Sequence, residues 1–175
     1  EYRRVLAESG ATSEPPLRAP GYVAQRVADD LGIGGPVLTL STACSSSANA
    51  LLVAADLIRR GEVARALVLG VEGLSQIALS GFHSLMLLDP AGCRPFDGAR
   101  RGMQLGEAVA AVLLEAEASG HATGDSLLGG SNLCDIHHVT SAAPDGSAMR
   151  AVMEMALADA GLAPGDITVI KAHGT

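Results

Sequence analysis

The sequence contains few aromatic residues and no tryptophan. Two Tyr and two Phe make up 2% of the 175 residues, and acidic side chains outnumber basic ones by 19 to 12, for a net charge of −7 at pH 7. Proteins that bind nucleic acid need a basic surface and commonly use aromatic side chains to stack on bases. The composition therefore argues against a nucleic-acid partner.

Long hydrophobic runs are also absent. No apolar stretch approaches the roughly 20 residues that span a bilayer, and the opening EYRRVLAESG lacks the apolar centre of a signal peptide. The three cysteines are too few and too widely spread for a disulfide framework, and they suit a reducing compartment. We therefore expect a cytoplasmic protein with no membrane association.

What the sequence does have is enough apolar material for one sizeable core, because 48% of its residues are hydrophobic and only 18% are charged. It does not begin with Met, and its last residues, DITVIKAHGT, read as a strand that runs into a turn. We expect a fragment of a longer chain, cut at both ends.

Hydrophobic spacing predicts strands that alternate with helices. Helices are predicted over 21–31, 46–61 and 147–161, and strands over 36–42, 64–73, 104–117, 126–135 and 166–174. The segment 104–117 fits a strand or a helix on pattern alone, and we favour a strand. This alternation is typical of an α/β protein with a largely parallel sheet.

A cysteine lies where one predicted strand meets a helix, in PVLTLSTACSSSANALL. A helix N-terminus has unpaired N–H groups and partial positive charge, both of which favour a thiolate. Cys44 is therefore a candidate nucleophile, and we expect the serines at 45–47 to accept hydrogen bonds from first-turn N–H groups. The alternative is that Cys44 is a small, buried hydrophobic residue.

A histidine follows the last predicted strand, in IKAHGT. Ligands gather at the carboxyl ends of parallel strands, so we expect His173 and Cys44 to meet at one edge of the sheet. A single histidine after a strand is also commonly a structural or surface residue.

Five motifs occur in order: STACSSSANA, GFHSL, CRPFDGARRGMQLGEA, CDIHHVTSAAPDG and KAHGT. Together they resemble the β-ketoacyl-acyl carrier protein synthases, which are the condensing enzymes of fatty acid and polyketide synthesis. The resemblance covers nearly the whole chain. It implies a thiolase-like, five-layered αβαβα fold, incomplete at both ends, with residues 1–119 in the first ketosynthase half and 120–175 opening the second.

The same resemblance assigns roles to individual residues. Cys44 matches the nucleophile that accepts an acyl chain, and His173 matches the first of two histidines that polarise the malonyl thioester. Thr140 and Thr175 match threonines that line the cavity of the phosphopantetheine arm. Phe82 and Phe96 match positions near the acyl tunnel, although both also suit a core.

The resemblance further implies the partners of the protein. Substrates would arrive on the phosphopantetheine arm of acyl carrier protein, with no metal and no bound cofactor, and the protein would form a homodimer or a ketosynthase heterodimer. A buried ion-pair network of Asp97, Arg100 and Glu107 would fix the loop that carries CRPFD.

Cys134, Asp135, His137 and His138 could suggest a metal site. Neighbouring histidines on a strand point to opposite faces, however, and no second ligand pair at zinc spacing follows. We therefore expect no metal there; by resemblance, His138 is structural.

Three other functions stay open. One is a thiolase-like enzyme that uses coenzyme A thioesters, although the HGT and RPFD motifs count against it. Another is a non-catalytic partner of the chain-length-factor type, which usually lacks the cysteine. The third is a structural fragment that associates through exposed edges. The residues do not distinguish fatty acid, polyene and polyketide pathways.

Overall fold

A computed structural model describes residues 20–117, 120, 124–138 and 141–174. These residues form four α-helices, two strands and two 3-10 turns. The helices are α1 (Tyr22–Leu31), α2 (Ser46–Arg59), α3 (Gln76–Ser84) and α4 (Ser147–Ala160); the strands are β1 (Arg65–Glu72) and β2 (Ala108–Glu115); the turns are Ala43–Ser45 and Pro164–Asp166. β1 and β2 are hydrogen-bonded neighbours in one sheet.

The three predicted helices are confirmed as α1, α2 and α4. Each begins and ends within a residue or two of its predicted bounds, because its signals are local: apolar residues at helical spacing and a terminal glycine. α3 was not predicted. It begins after Ser75, whose hydroxyl accepts a hydrogen bond from the N–H of Ala78 at 3.1 Å, and this N-cap was the sequence signal for the helix.

Two of the predicted strands are confirmed as β1 and β2, and the ambiguous segment 104–117 does contain a strand. The strands predicted over 36–42, 126–135 and 166–174 are wrong, because none of these described segments forms a strand. Strand propensity reflects fit to a pleated surface, and a segment becomes a strand only when a neighbour supplies its ladder of hydrogen bonds.

The described residues fall into two compact units. The first contains the residues up to Thr39, then Gly70–Ala110 and the chain from His173; the second contains Leu40–Leu69 and the chain from Ala111 to Ala172. Each unit is described by itself below.

Buried apolar residues are few among the described ones, and they are mostly small: Ala28, Ala54, Ala55 and Val68. Six consecutive residues of β2, Ala108–Leu113, are exposed although all are apolar. The expected single large core is therefore not formed by the described residues, because much of the apolar surface that should build it has nothing packed on it. None of the helices in the described ranges is long and apolar enough to cross a membrane.

Candidate functional site

Cys44 lies in the middle of the 3-10 turn Ala43–Ser45, which leads directly into α2. Its side chain is exposed, so the alternative of a buried small hydrophobic residue does not hold. Cys44 does lie just before a helix, as predicted, but it belongs to a 3-10 turn and does not follow a strand.

The backbone at this turn has an uncommon conformation. Ala43, the residue before Cys44, has φ +53°, in the left-handed region that costs a non-glycine residue about 1–2 kcal/mol. Such conformations persist only where surrounding bonds over-determine them. Strained backbone conformations of this kind are often found at functional sites, where they fix the direction of a side chain.

The backbone hydrogen bonds of the turn begin just after the cysteine. The N–H of Ser45 donates to the carbonyl of Thr42 at 3.3 Å, and the N–H of Ser46 donates to the carbonyl of Ala43. The N–H of Cys44 precedes this ladder and so belongs to the donors that a helix start leaves for a ligand. A negative oxygen on an adduct of the Cys44 sulfur would find this donor close by.

Ser45 and Ser46 do not accept first-turn hydrogen bonds as predicted. The Ser45 hydroxyl donates back to the carbonyl of Thr42 at 2.8 Å, and Ser45, the N-cap of α2, makes no side-chain capping bond. The Ser46 hydroxyl accepts from the N–H of Thr42 at 2.8 Å and donates to the carbonyl of Ala43 at 2.7 Å. Both serines therefore tie the turn to the residues before it instead of capping the helix after it.

Sequence reasoning missed one residue of this turn. Asn49, on the first turns of α2, is only 8% exposed, and its amide donates to Oγ1 of Thr42 at 2.8 Å. The signal was a lone amide in the apolar segment ANALLVAA.

His173 lies in the other unit, so Cys44 and His173 are each described in their own surroundings. The His173 side chain is exposed. Gly174, which follows it, has φ +76°, and a Cβ on this glycine would lie 3.4 Å from Cβ of Pro95 and 3.9 Å from Cε2 of Phe96. The HGT and RPFD motifs are therefore neighbours within this unit.

The RPFD loop is held by a compact set of contacts. Arg94 donates to the carbonyl of Ala99 at 2.8 Å, and its other terminal nitrogen lies 3.4 Å from the Asp97 carboxylate. Arg100 donates to the backbone carbonyl of Asp97 at 2.9 Å. Glu107 accepts from the N–H of Leu74 at 2.8 Å.

The expectation of a buried Asp97–Arg100–Glu107 ion-pair network is therefore wrong. The ion-pair partner of Asp97 is Arg94, both side chains are about 40% exposed, and Arg100 and Glu107 bind backbone groups. The carboxylate and guanidinium groups do fix the loop, but they do so through main-chain bonds.

The two phenylalanines differ in their surroundings. Phe82, on α3, is half-buried. Phe96 is 72% exposed and has φ +63°, so its ring is presented outward from a backbone that disfavours it. The alternative of a core aromatic does not fit Phe96 in the described residues.

An open cleft of about 740 Å³ lies in the second unit, between the CDIHH segment and the start of α4. The Asp135 carboxylate accepts from the N–H groups of Ala143 and His137, both at 2.9 Å, and these two bonds lower the pKa of Asp135 below its ordinary value. Asp145 accepts from the N–H of Ser147 at 3.0 Å, which lowers its pKa in the same way. Both carboxylates thus stabilise turns by accepting backbone hydrogen bonds. No group of three or more metal-ligating side chains is found in the described ranges.

Thr140 and Thr175, the two threonines expected near the phosphopantetheine arm, lie outside the described residues.

Comparison with known proteins covers nearly all of the chain. The family model described as the β-ketoacyl synthase N-terminal domain matches residues 4–119, and the C-terminal domain model matches 126–175. Nodulation protein E of Rhizobium meliloti (strain 1021) is 36% identical over 184 residues, which cover 99% of this chain and 45% of that protein. The 3-oxoacyl-[acyl-carrier-protein] synthase 2 of Staphylococcus aureus is 30% identical over 170 residues, which cover 91% of this chain and 42% of that protein.

A solved structure is similar over the same extent. It is a ketosynthase (ApeO) in complex with its chain length factor (ApeC) from Xenorhabdus doucetiae, with a TM-score of 0.87 and 35% identity over 99% of this chain and 44% of that one. This similarity confirms the predicted thiolase-like α/β fold in incomplete form. The chain spans less than half the length of the curated relatives it matches.

Proposed function

The chain belongs to the β-ketoacyl synthase family, and on that premise we propose that the native protein containing it catalyses a decarboxylative Claisen condensation through an acyl thioester on Cys44. The observation that carries this proposal is the position of Cys44. Its thiol is exposed, it follows a residue with a strained backbone, and its N–H precedes the first hydrogen bond of the turn. Nucleophile and oxyanion donor then come from one residue.

The first half-reaction is acyl transfer. The Cys44 thiolate attacks the carbonyl carbon of an acyl thioester, and the resulting oxyanion accepts a hydrogen bond from the Cys44 N–H. Collapse of this intermediate breaks the bond to the carrier thiol, which leaves as a thiolate and takes up a proton. A fixed donor of this kind is typically worth about 3–4 kcal/mol of transition-state stabilisation.

The second half-reaction is condensation, and His173 is proposed to serve it. Loss of CO2 from a malonyl thioester leaves a carbanion equivalent whose negative charge resides on the thioester oxygen, and an imidazole N–H can stabilise that oxygen. The carbanion carbon attacks the acyl-Cys44 carbonyl, and the Cys44 thiolate is released. Pro95 and Phe96 would both lie within 4 Å of a Cβ placed on Gly174, and this proximity supports a defined position for the His173 turn.

The remaining site residues belong to the same proposal. Phe82 and Phe96 would line the acyl tunnel, and Thr140 and Thr175 would bind the phosphopantetheine arm. Acyl carrier protein would deliver both substrates; the name of the similar Staphylococcus aureus protein, a 3-oxoacyl-[acyl-carrier-protein] synthase, supports a carrier-protein partner. We further propose a homodimer or a ketosynthase heterodimer, a cytoplasmic location suited to three free cysteines, and a boundary between the two ketosynthase halves near residue 120.

Acylation can be tested by mass spectrometry of the native protein after incubation with acyl carrier protein thioesters. We expect an acyl adduct on Cys44 and none in Cys44→Ala. Cys93→Ala and Cys134→Ala are matched controls because both thiols are also exposed and free, and each should retain the adduct and the condensation product. Full condensing activity in Cys44→Ala would overturn the proposed mechanism.

The role of His173 is separable from that of Cys44. His173→Ala should still form the acyl-Cys44 adduct but should lose malonyl decarboxylation and product formation by about a hundredfold or more. Equal loss of acylation and decarboxylation would contradict a role confined to the second half-reaction.

A further inference from the structure

Asn49 is a buried polar side chain on the helix that follows the nucleophile. It is 8% exposed, and the residues that follow it on α2, Ala50–Ala55, are all apolar. Its amide nitrogen donates to Oγ1 of Thr42 at 2.8 Å and lies 3.3 Å from Oγ of Ser45. A buried amide among apolar residues is costly unless its donors are used, and here both donors have acceptors.

The two residues that Asn49 reaches stand on either side of the strained dipeptide. Thr42 precedes Ala43, whose φ is +53°, and Ser45 follows Cys44. The Ser45 hydroxyl also lies 2.8 Å from the Thr42 carbonyl and 3.0 Å from Oγ1 of Thr42, so these three side chains form a closed hydrogen-bonded triangle. The triangle spans the two peptide units that set the direction of the Cys44 side chain.

We propose that Asn49 is a positioning residue for Cys44, and that its amide holds the left-handed turn at Ala43 by pinning Thr42 and Ser45 together. This inference rests on the proposed function of Cys44 as the nucleophile. Without the amide, Ala43 can relax to a conformation with negative φ, which rotates both the thiol and the Cys44 N–H away from their shared direction.

The chemistry of the amide explains why another polar side chain would not serve. The Asn49 nitrogen donates in both contacts, and the primary amide nitrogen carries the two hydrogens that this arrangement uses. An aspartate of the same shape offers only acceptors when ionised, so it would face two hydroxyl oxygens with the wrong polarity. Thr42 and Ser45 could rotate their hydroxyl hydrogens towards that carboxylate, but they would then lose their bonds to each other.

The test is the alkylation rate of each cysteine by iodoacetamide as a function of pH, resolved by mass spectrometry on the native protein. In Asn49→Asp we expect alkylation of Cys44 to be about tenfold slower or more, since a displaced reacting group loses rate steeply. Alkylation of Cys93 and Cys134 should be unchanged. The matched control is Asn132→Asp, which makes the same chemical change at the other asparagine of the chain, an exposed one.

A second variant covers the case in which Asn49→Asp does not fold. Thr42→Val removes the acceptor at the other end of the same hydrogen bond and should slow Cys44 in the same manner, whereas Thr42→Ser, which keeps the hydroxyl, should restore the wild-type rate. Where both single variants fold, the double variant should lose less than the sum of the two single losses, because each single variant already breaks the hydrogen bond between Asn49 and Thr42.

Two results would overturn the inference. One is an unchanged rate and pH profile at Cys44 in folded Asn49→Asp or Thr42→Val. The other is a parallel change at all three cysteines, which would mark a general loosening of the fold. Alkylation needs no acyl substrate, so a protein that responds as expected but never forms acyl-Cys44 would overturn the proposed function alone.

Discussion

The carboxylate of Glu107 accepts a hydrogen bond from the backbone N–H of Leu74 at 2.8 Å, although 33 residues separate them along the chain. Leu74 follows the end of β1 by two residues, and Glu107 immediately precedes β2. The contact therefore joins the segment that follows one strand to the residue that precedes its hydrogen-bonded neighbour.

Replacement of this carboxylate should destabilise the pairing of β1 and β2. For Glu107→Ala we expect a loss of about 1 kcal/mol in the free energy of unfolding, the usual net value of a hydrogen bond in a solvent-accessible place. Glu107→Gln retains an acceptor oxygen and should lose less than half of that amount. Denaturant unfolding of the native protein measures both, and equal stability of Glu107→Ala and wild type would refute the role of this contact.

Position 102 requires glycine because the backbone of another segment approaches it closely. A Cβ at this position would lie 2.7 Å from the Leu87 carbonyl oxygen and 2.8 Å from the Asp89 nitrogen, and both are backbone atoms that cannot rotate away. The same segments exchange two bonds, Met103 N–H to Leu87 carbonyl and Asp89 N–H to Met103 carbonyl, at 2.9 and 3.0 Å.

Gly102→Ala should therefore force these segments apart and destabilise the protein by about 3 kcal/mol, the upper range for overpacking. Gly98→Ala is the matched control, because nothing lies within 4 Å of its Cβ position, and its effect should stay within about 0.5 kcal/mol. Thermal unfolding of the two variants separates these expectations. A stable Gly102→Ala variant would contradict the close approach.

Helix α2 and the cysteine before it were predictable from sequence because their signals are local. An apolar run, small polar residues and an alanine-rich segment follow one another within 17 residues. The role of Asn49 was not predictable in this way, since it depends on where the Thr42 and Ser45 hydroxyls lie in space. The strand predictions failed for a similar reason over 36–42, 126–135 and 166–174. Strand propensity is a property of the segment itself, whereas a strand also needs a neighbouring strand to form its hydrogen bonds.

Met86 has a backbone conformation that suits glycine better. It follows α3 with φ +57°, and the bonds Met86 N–H to His83 carbonyl and Leu87 N–H to Phe82 carbonyl close the helix in the Schellman pattern. Its side chain is 86% exposed, so little packing offsets the backbone cost.

Met86→Gly should raise the free energy of unfolding by about 0.5–1 kcal/mol, because relief of the left-handed strain exceeds the entropy that glycine adds to the unfolded chain. Met86→Ala keeps the Cβ and should give no such gain, so the pair separates backbone strain from loss of the side chain. Chemical denaturation of both variants is the measurement. If Met86→Gly were less stable than Met86→Ala, strain at this position would not be the dominant effect.

Acid stability should depend on Asp135. Hydrogen bonds from the Ala143 and His137 N–H groups lower its pKa in the folded protein. A lowered folded pKa stabilises the folded state fully above the unfolded-state pKa of about 3.9, and this stabilisation is lost as the pH falls through the lower folded value. Asp135→Asn should therefore flatten the fall in stability below about pH 4. Asp125→Asn, at an exposed position of the neighbouring loop, is the control, and identical acid profiles for Asp135→Asn and wild type would refute the assignment.

The 175-residue chain by itself should associate and should condense nothing. Val109, Val169 and Ile170 are 73%, 80% and 77% exposed, and the sheet formed by the described residues has only two strands, so both its apolar surface and its strand edges are open to other copies. Sedimentation of the isolated chain should reveal species larger than a monomer. Val109→Lys and Ile170→Lys should raise the monomer fraction, because a charge on the apolar surface opposes its burial, while Gln104→Lys adds the same charge at an exposed polar position and should leave the distribution unchanged. A cooperative thermal transition in a monomer, or ketoacyl product from this chain alone, would be incompatible with this expectation.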